Sequence, residues 1–463
     1  MSRVGNGRVA ASRAKAGTMH AVERFAEFAE SFRARRPAPQ LLHHAKRAVI
    51  DWHAALFPGA VVAPAVLLER ALADELDRGE SRLALGRRAT VRGAALINGS
   101  AAHSVEVDDI FRDGIYHPGA PTIAAALALA QARGASGEAF LRAVIVGYEI
   151  STRIAAAMGR AHYKYWHNTG TVGCFGAAGA AAELLGLDAT RFAHALATAA
   201  TFAAGLQQAF RMDSMSKPLH AGRAAEAGVT AALAAGEGVT GSLDVLEGDA
   251  GFGRAMGADP DWERALATLG EDFHIARITF KNHACCGHVF AAIDGALALQ
   301  REMRVAAADI ERVRVGTYKA ALEVARHESP RTAAEARFSL KYTVASALVH
   351  GSVRLAAFEP ARLEDPATRE LMRRIEVAVA PELDAAFPAQ RAARVAIEAR
   401  DGRRGEHLQP TRKGDPDAPL SDAELEHKYL ELASPVLGEE RSRKLLARLW
   451  RLEGEAALPS IDD

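Results

Sequence analysis

Histidines, lysines and carboxylates gather in four short runs of this chain, and each run has a chemistry it can serve. The first is His103-Ser-Val-Glu-Val-Asp-Asp109, with His117-Pro118 close behind. Two imidazoles and the carboxylates of Glu106, Asp108 and Asp109 thus fall within one short helix and loop, a grouping suited to acid–base work or to metal binding. A solvated acidic turn has the same composition. His117 stands just ahead of an apolar helix, whose N-terminal dipole can depress an imidazole pKa or attract a carboxylate. The second run, Trp166-His-Asn-Thr-Gly-Thr-Val-Gly173, matches neither the P-loop nor the Gly-x-Gly-x-x-Gly pattern. Its backbone N–H groups and the Thr169 hydroxyl still suit an anion, and His167 at its mouth is a candidate acid or base. An ordinary helix-capping turn is the plain alternative.

The third run, Ser214-Met-Ser-Lys-Pro-Leu-His220, sets Lys217 and His220 three apart ahead of a helix of small residues. Lys217 can hold a substrate carboxylate there, or simply face water. The fourth, Lys281-Asn-His-Ala-Cys-Cys-Gly-His288, raises the question of zinc, since His283, Cys285, Cys286 and His288 are all ligand types. Vicinal cysteines seldom both reach one tetrahedral ion. Cys174 is the only other cysteine, too few for an iron–sulfur cluster or a disulfide framework. No metal and no cofactor are expected.

Helices must position these runs. Alanine dominates from about residue 20 to 250, and the segments read as helices at Ala21–Arg33, Pro39–Phe57, Val66–Arg78, Ala120–Ala132, Gly137–Met158 and Gly173–Leu185. Pro121 to Arg133 is apolar nearly all round, the mark of a helix buried inside a bundle. The texture changes near residue 272. Ile275–Phe280, Ile310–Thr317, Ile375–Val379 and Ala393–Ala399 alternate with the period of half-buried strands, with helices between them. A polar stretch from Gln409 to Pro419 follows, then a helical tail that opens on the capping box Ser421-Asp-Ala-Glu424. The fold class is mainly α: a large helical bundle of residues 18–274 with a smaller α+β unit at 275–408. The tail, 409–463, is expected to return to the bundle.

Composition narrows the function. Lysine and arginine number 57 against 57 aspartates and glutamates in 463 residues, so no basic excess exists to track nucleic acid. No run reaches the roughly 18–20 apolar residues of a membrane span. Met1 to Gly17 is read as a loose arm without the apolar core of a secretory signal. A soluble, cytoplasmic protein is expected, with no nucleic-acid or membrane partner.

Taken together the runs resemble the MmgE/PrpD family, which includes 2-methylcitrate dehydratases, cis-aconitate decarboxylases and iminodisuccinate epimerases. The resemblance spans about residues 20 to 450. It rests on Ile97-Asn-Gly-Ser-Ala-Ala-His103 with Asp108-Asp109 and His117-Pro118, His167-x-Thr-Gly-Thr171, Lys217-Pro-Leu-His220, Leu246-Glu-Gly-Asp-Ala-Gly-Phe252, Lys281 with Cys285 and His288, Phe338-Ser-Leu-Lys-Tyr342 and Lys428-Tyr429. It implies a helical bundle with an α+β lid, a homodimer, and a cofactor-independent site between bundle and lid. His117, His167, Tyr342 and Glu106 are then the implied catalytic residues, and Lys217, Lys281, Thr169, His220 and His288 the substrate-binding ones. Glu106 stands where cis-aconitate decarboxylases place aspartate, and Ile110 where they place threonine.

The implied substrate is a small polycarboxylate. Lysines would neutralise a carboxylate while an imidazole moves the proton on the neighbouring carbon. A lyase, either dehydratase or decarboxylase, is the first expectation. A two-base epimerase of an amino-dicarboxylate and a non-catalytic helical binding protein are the alternatives.

Overall fold

The structure, a computed structural model, describes residues 19–210, 214–257 and 260–459. The expected N-terminal arm lies outside the described residues. Helices carry most of the chain, and their ends obey the local signals. Ser136 caps Gly137–Tyr163 by accepting from the Ala139 N–H, and Asp188 caps Ala189–Thr201 by accepting from Arg191. Gly119–Arg133 ends at Gly134, which takes the left-handed conformation at φ 59°.

Small residues let these helices approach closely. Ser216–Gly236 packs along Gly173–Leu184 and Val91–Ala102, while Gly119–Arg133 lies between the last two and Gly137–Tyr163. Gly222 marks one close crossing: a Cβ there would sit 2.1 Å from the Leu96 carbonyl oxygen. Alanine-lined contacts of this kind set helix spacing by backbone approach rather than by large interlocking side chains. This matters because three of the four chemistry-bearing runs sit at the ends of these helices.

A second unit holds a four-stranded sheet in the order β4-β3-β5-β6, from β3 (Ile310–Thr317), β4 (Ile375–Val379), β5 (Ala393–Ala399) and β6 (Arg404–Gln409). β3 runs parallel to β4 and antiparallel to β5. Helix Phe290–Met303 covers β5 and β6, and helix Leu340–His350 packs against it. The C-terminal helix Asp422–Leu437 begins with the anticipated Ser421 capping box and lies against Pro39–Ala60.

Two stretches differ from the reading of the sequence. Ile275–Phe280 forms no strand: a 3-10 turn occupies His274–Arg277, and a single bridge joins Thr279 to Ile110. Its residue types alternate, but Ile278, Thr279 and Phe280 are buried in succession, so the segment is enclosed by packing rather than laid on one face of a sheet. The helix expected to Arg78 stops at Ala71, and β1 (Leu76–Arg82) pairs with β2 (Arg88–Ala89) as a hairpin. Asp77-Arg-Gly-Glu80 offers no apolar face to bury, so a helix there had nothing to pack with. No single helix among the described residues is long and apolar enough to cross a membrane.

Candidate active site

Asp108 is the hub of the first run. Its Oδ2 lies 2.6 Å from His103 Nδ1 and 3.1 Å from His117 Nδ1. His103 and Asp108 are buried, whereas the His117 side chain keeps 14% exposure. The His117 N–H donates to the Thr169 hydroxyl at 3.4 Å, which ties the first run to the second. His103 stacks on His167 with ring centroids 5.4 Å apart, and His167 Nδ1 meets His220 Nδ1 at 3.0 Å. Four imidazoles from three of the runs thus form one array. The backbone of His167 is fixed by donating to the Gly205 carbonyl at 2.8 Å.

Glu106 completes the centre from the other side. It takes a left-handed backbone conformation, φ 60°, which is uncommon for a residue with a side chain. One carboxylate oxygen accepts from Lys217 Nζ. The other accepts from Lys281 Nζ at 3.2 Å, and Lys281 also donates to the Glu106 carbonyl at 3.1 Å. Lys281 lies 3.9 Å from Asp108 Oδ1 as well. One carboxylate therefore holds two lysines that are 64 residues apart in sequence, by subtraction of their numbers.

Lys281 is steered there by its neighbours. Thr279 bridges to Ile110 through backbone bonds of 2.8 and 2.9 Å, and the Phe280 N–H donates to Gly414 at 3.0 Å. Gly414 must be glycine: its φ is 101°, and a Cβ would stand 2.0 Å from the Phe280 carbonyl oxygen. From the C-terminal helix, Lys428 Nζ donates to the Val107 carbonyl at 2.7 Å and to Asp51 Oδ1 at 2.5 Å. The tail so braces the backbone between Glu106 and Asp108.

The electrostatics follow from burial and pairing. Burial pushes the Glu106 carboxyl upward, but Lys217 and Lys281 outweigh it and hold it below the ordinary carboxylate range. Asp108 is likewise driven up by burial and pulled well down by His103 and His117. Burial lowers His103 to about 4 despite Asp108, and burial, with the Lys217 charge among its neighbours, holds His167 well below its ordinary value. Both rings are neutral near pH 7. Asp109 belongs to a different environment: burial and the nearby Asp51 charge push it up to about 8, with Tyr148 donating to Oδ2 at 2.8 Å and the Gly119 N–H to Oδ1 at 3.0 Å.

Two expected residues stand apart from this centre. Tyr342 is buried, donates its hydroxyl to the Ala357 carbonyl and packs beside Phe358. His288 Nδ1 lies 2.9 Å from the Tyr318 hydroxyl, and burial with nearby arginines lowers it to about 3. Asp108 and His103 were legible only as members of the first run; nothing in their spacing marked them as its hub.

His103, Asp108 and His117 offer three ligand atoms within 4.8 Å of one another. Two donors on a tetrahedral zinc stand about 3.3 Å apart, from metal–ligand distances of about 2.0–2.1 Å. The His103–Asp108 distance of 2.6 Å is that of a hydrogen bond, so an ion would have to spread the pair. A cavity of about 40 Å³ lined by His53, Leu56, Arg82 and Asn98 shares no residue with the centre and has room for a water or two only.

The MmgE/PrpD N-terminal domain model matches residues 23–265, and the MmgE/PrpD C-terminal domain model matches residues 283–452. This chain belongs to the MmgE/PrpD family. A cis-aconitate decarboxylase-like protein of Aspergillus oryzae is 30% identical over 453 residues, covering 91% of this chain and 92% of the relative. Human cis-aconitate decarboxylase is 28% identical over 369 residues, covering 78% of this chain and 76% of its own. The Aspergillus terreus cis-aconitate decarboxylase is 27% identical over 430 residues, covering 88% and 87%. The family match agrees with the helical bundle and smaller α+β unit seen here.

Proposed function

We propose that this MmgE/PrpD chain is a cofactor-independent lyase of a small polycarboxylate, decarboxylating an unsaturated tricarboxylate of the cis-aconitate type. The observation that carries the reading is the Glu106 carboxylate seated between Lys217 and Lys281, beside imidazoles gathered on Asp108. Two cations from distant segments converging on one carboxylate mark a place where carboxylates bind. The names of the relatives supply the reaction class.

A substrate carboxylate would draw on the same lysine charge, sharing it with Glu106 or displacing it. In a β,γ-unsaturated acid the bond to the departing carboxylate breaks, and its electron pair becomes the new double bond. The old double bond's pair takes a proton at the γ carbon, and carbon dioxide leaves. His117 is the proton carrier in this reading: it is the most exposed ring around Asp108, and a positive ring formed there faces that carboxylate. Neutral His103 and His167 serve as hydrogen-bonding partners that hold the array in place. Closure of the Lys281 segment over the helical unit would exclude water from the carbanion-like transition state.

His117 and His167 flank His103 on either side, with ring centroids 4.8 and 5.4 Å from it. That pairing favours, as a second reading, two-base epimerisation of an amino-dicarboxylate. The test is NMR of chelator-treated protein in deuterated water with 2-methylcitrate, citrate, cis-aconitate and iminodisuccinate. Loss of carbon dioxide from cis-aconitate supports the proposal. Deuterium at a stereocentre with no loss of water or carbon dioxide moves the assignment to an epimerase, and silence on every substrate overturns both.

A further inference from the structure

The charge balance of the centre leaves a polycarboxylate short of cations. Glu106 and Asp108 already match Lys217 and Lys281 one for one, so a bound di- or tricarboxylate adds two or three negative charges that only an arginine without an acidic partner of its own can meet. A further cation must come from elsewhere.

Arg391 fits that need. Its Nε is buried without a hydrogen-bond partner, and among the described residues no carboxylate pairs with its guanidinium. Isolated guanidinium groups are costly to bury, and a bidentate anion is the partner their planar fork suits. The nearest acid, Asp415, is taken by Arg412, through bonds of 2.8 and 2.7 Å, and by Thr279 at 2.6 Å. Arg112 adds a second cation to the same aspartate at 3.6 Å and also faces Asp417 at 3.5 Å and Asp113 at 3.9 Å, while Arg391 and Arg160 have no such acid among the described residues. Arg160, from the helical unit, lies over the Phe387 ring at 4.8 Å and has no acidic partner among the described residues. This corner holds more positive charge than its own acids neutralise.

The chain brings Arg391 next to the His288 loop. Thr317 pairs with Ala393 at the end of β3 and donates its hydroxyl to the Ala392 carbonyl at 3.0 Å, so the stretch just before β5 that carries Arg391 runs alongside Tyr318 and Lys319. Tyr318 stacks on Phe387 at 4.4 Å and meets His288 at 2.9 Å. The His288 loop adjoins the Glu106 segment: Ile110, four residues past Glu106, reaches 3.7 Å from a Cβ placed on Gly287. The Tyr163 hydroxyl feels both the Glu106 and the Arg391 charge.

We propose that Arg391, with His288 and the Tyr318 hydroxyl as hydrogen-bonding companions, is a second anion subsite that holds the substrate carboxylate farthest from Lys217 and sets the preference for tricarboxylates. The assignment rests on the polycarboxylate reading above. Arg337, the other arginine with a buried unpartnered Nε near the centre, lies over the Phe358 ring at 5.1 Å and serves as the control.

The experiment is calorimetric binding of tricarballylate and of succinate, which lacks tricarballylate's outer carboxymethyl arm, to the full chain and its variants, with no turnover needed. The wild type should bind tricarballylate at least about tenfold more tightly, a difference of about 1.4 kcal/mol. Arg391→Gln should erase that preference while leaving succinate within about twofold, and Arg391→Lys should keep part of it. Equal weakening of both ligands, an unchanged preference in Arg391→Gln, or loss of preference in Arg337→Gln instead would overturn the subsite alone. Failure of the wild type to bind either ligand would overturn the polycarboxylate reading and the subsite with it.

Discussion

Replacing Glu106 by glutamine removes one charge and almost no volume, which isolates what the carboxylate does. Lys281 is 2% exposed, and without Glu106 its nearest anion is Asp108 at 3.9 Å. Removing one partner of a buried ion pair typically costs about 3–5 kcal/mol. Glutamine keeps an acceptor for one lysine, and Glu106 and Lys217 are each 15% exposed, so about 2–4 kcal/mol is the expected loss. For a chain of this size that is roughly 1–2 °C of Tm per kcal/mol, hence about 2–8 °C in all. The pH dependence carries a definite sign. Lys217 and Lys281 hold the folded Glu106 carboxyl below its unfolded value in spite of burial. Its contribution is therefore full above an unfolded pKa of about 4.3 and is lost as the pH falls through the folded value. Scanning calorimetry should find a Tm gap between wild type and Glu106→Gln that is steady from pH 8 to 5 and narrows in acid. The freed lysines should also make the variant gain more Tm than wild type when glutarate is added. No gap at pH 7, or a gap that widens on acidification, would refute the ion-pair account.

Three further outcomes follow from the same geometry. Asp109, pushed up to about 8, binds a proton in the folded state that it lacks unfolded between pH 4 and 8, so it makes stability fall as pH rises through that window. Asp109→Asn should then gain on wild type as the pH is raised from 5 to 8, read as the Tm difference at each pH. Gly414→Ala places a Cβ 2.0 Å from the Phe280 carbonyl at a φ of 101°, and should cost about 1–3 kcal/mol and raise KM by displacing Lys281; an unchanged KM would contradict that link. Exhaustive chelation should leave turnover unchanged, because His103 and Asp108 are spaced for a hydrogen bond; loss restored by one divalent ion would contradict it.

Much of the frame was legible because its signals are local. Helix Ala21–Arg33, strands Ile310–Thr317, Ile375–Val379 and Ala393–Ala399, and the Ser421 cap all follow from periodicity and capping chemistry. Glu106, Lys217, Lys281, His117, His167, Thr169 and His220 were named from motif and resemblance, and the structure gathers them. What sequence could not supply is direction. Glu106 and Asp108 sit two apart and share Lys281, yet Glu106, with its left-handed backbone, also takes Lys217 while Asp108 takes His103 and His117. Tyr342 was drawn from the same resemblance, yet its hydroxyl is turned to the Ala357 carbonyl. β6 and the β1–β2 hairpin were missed because Arg404–Gln409 and Leu76–Arg82 are mostly polar, and their pairing comes from neighbours rather than from their own pattern. Arg391 carries no motif at all; only the lack of a partner in three dimensions singles it out.

The most direct test of the central claim separates proton transfer from carboxylate binding in two variants. His117→Asn and Lys217→Met would be compared with wild type for turnover of cis-aconitate and for equilibrium binding of tricarballylate. His117→Asn should lose about 10²–10⁴-fold in kcat while binding within a few-fold of wild type, and Lys217→Met should lose binding as well. Full turnover in His117→Asn, or undiminished binding in Lys217→Met, would contradict the account.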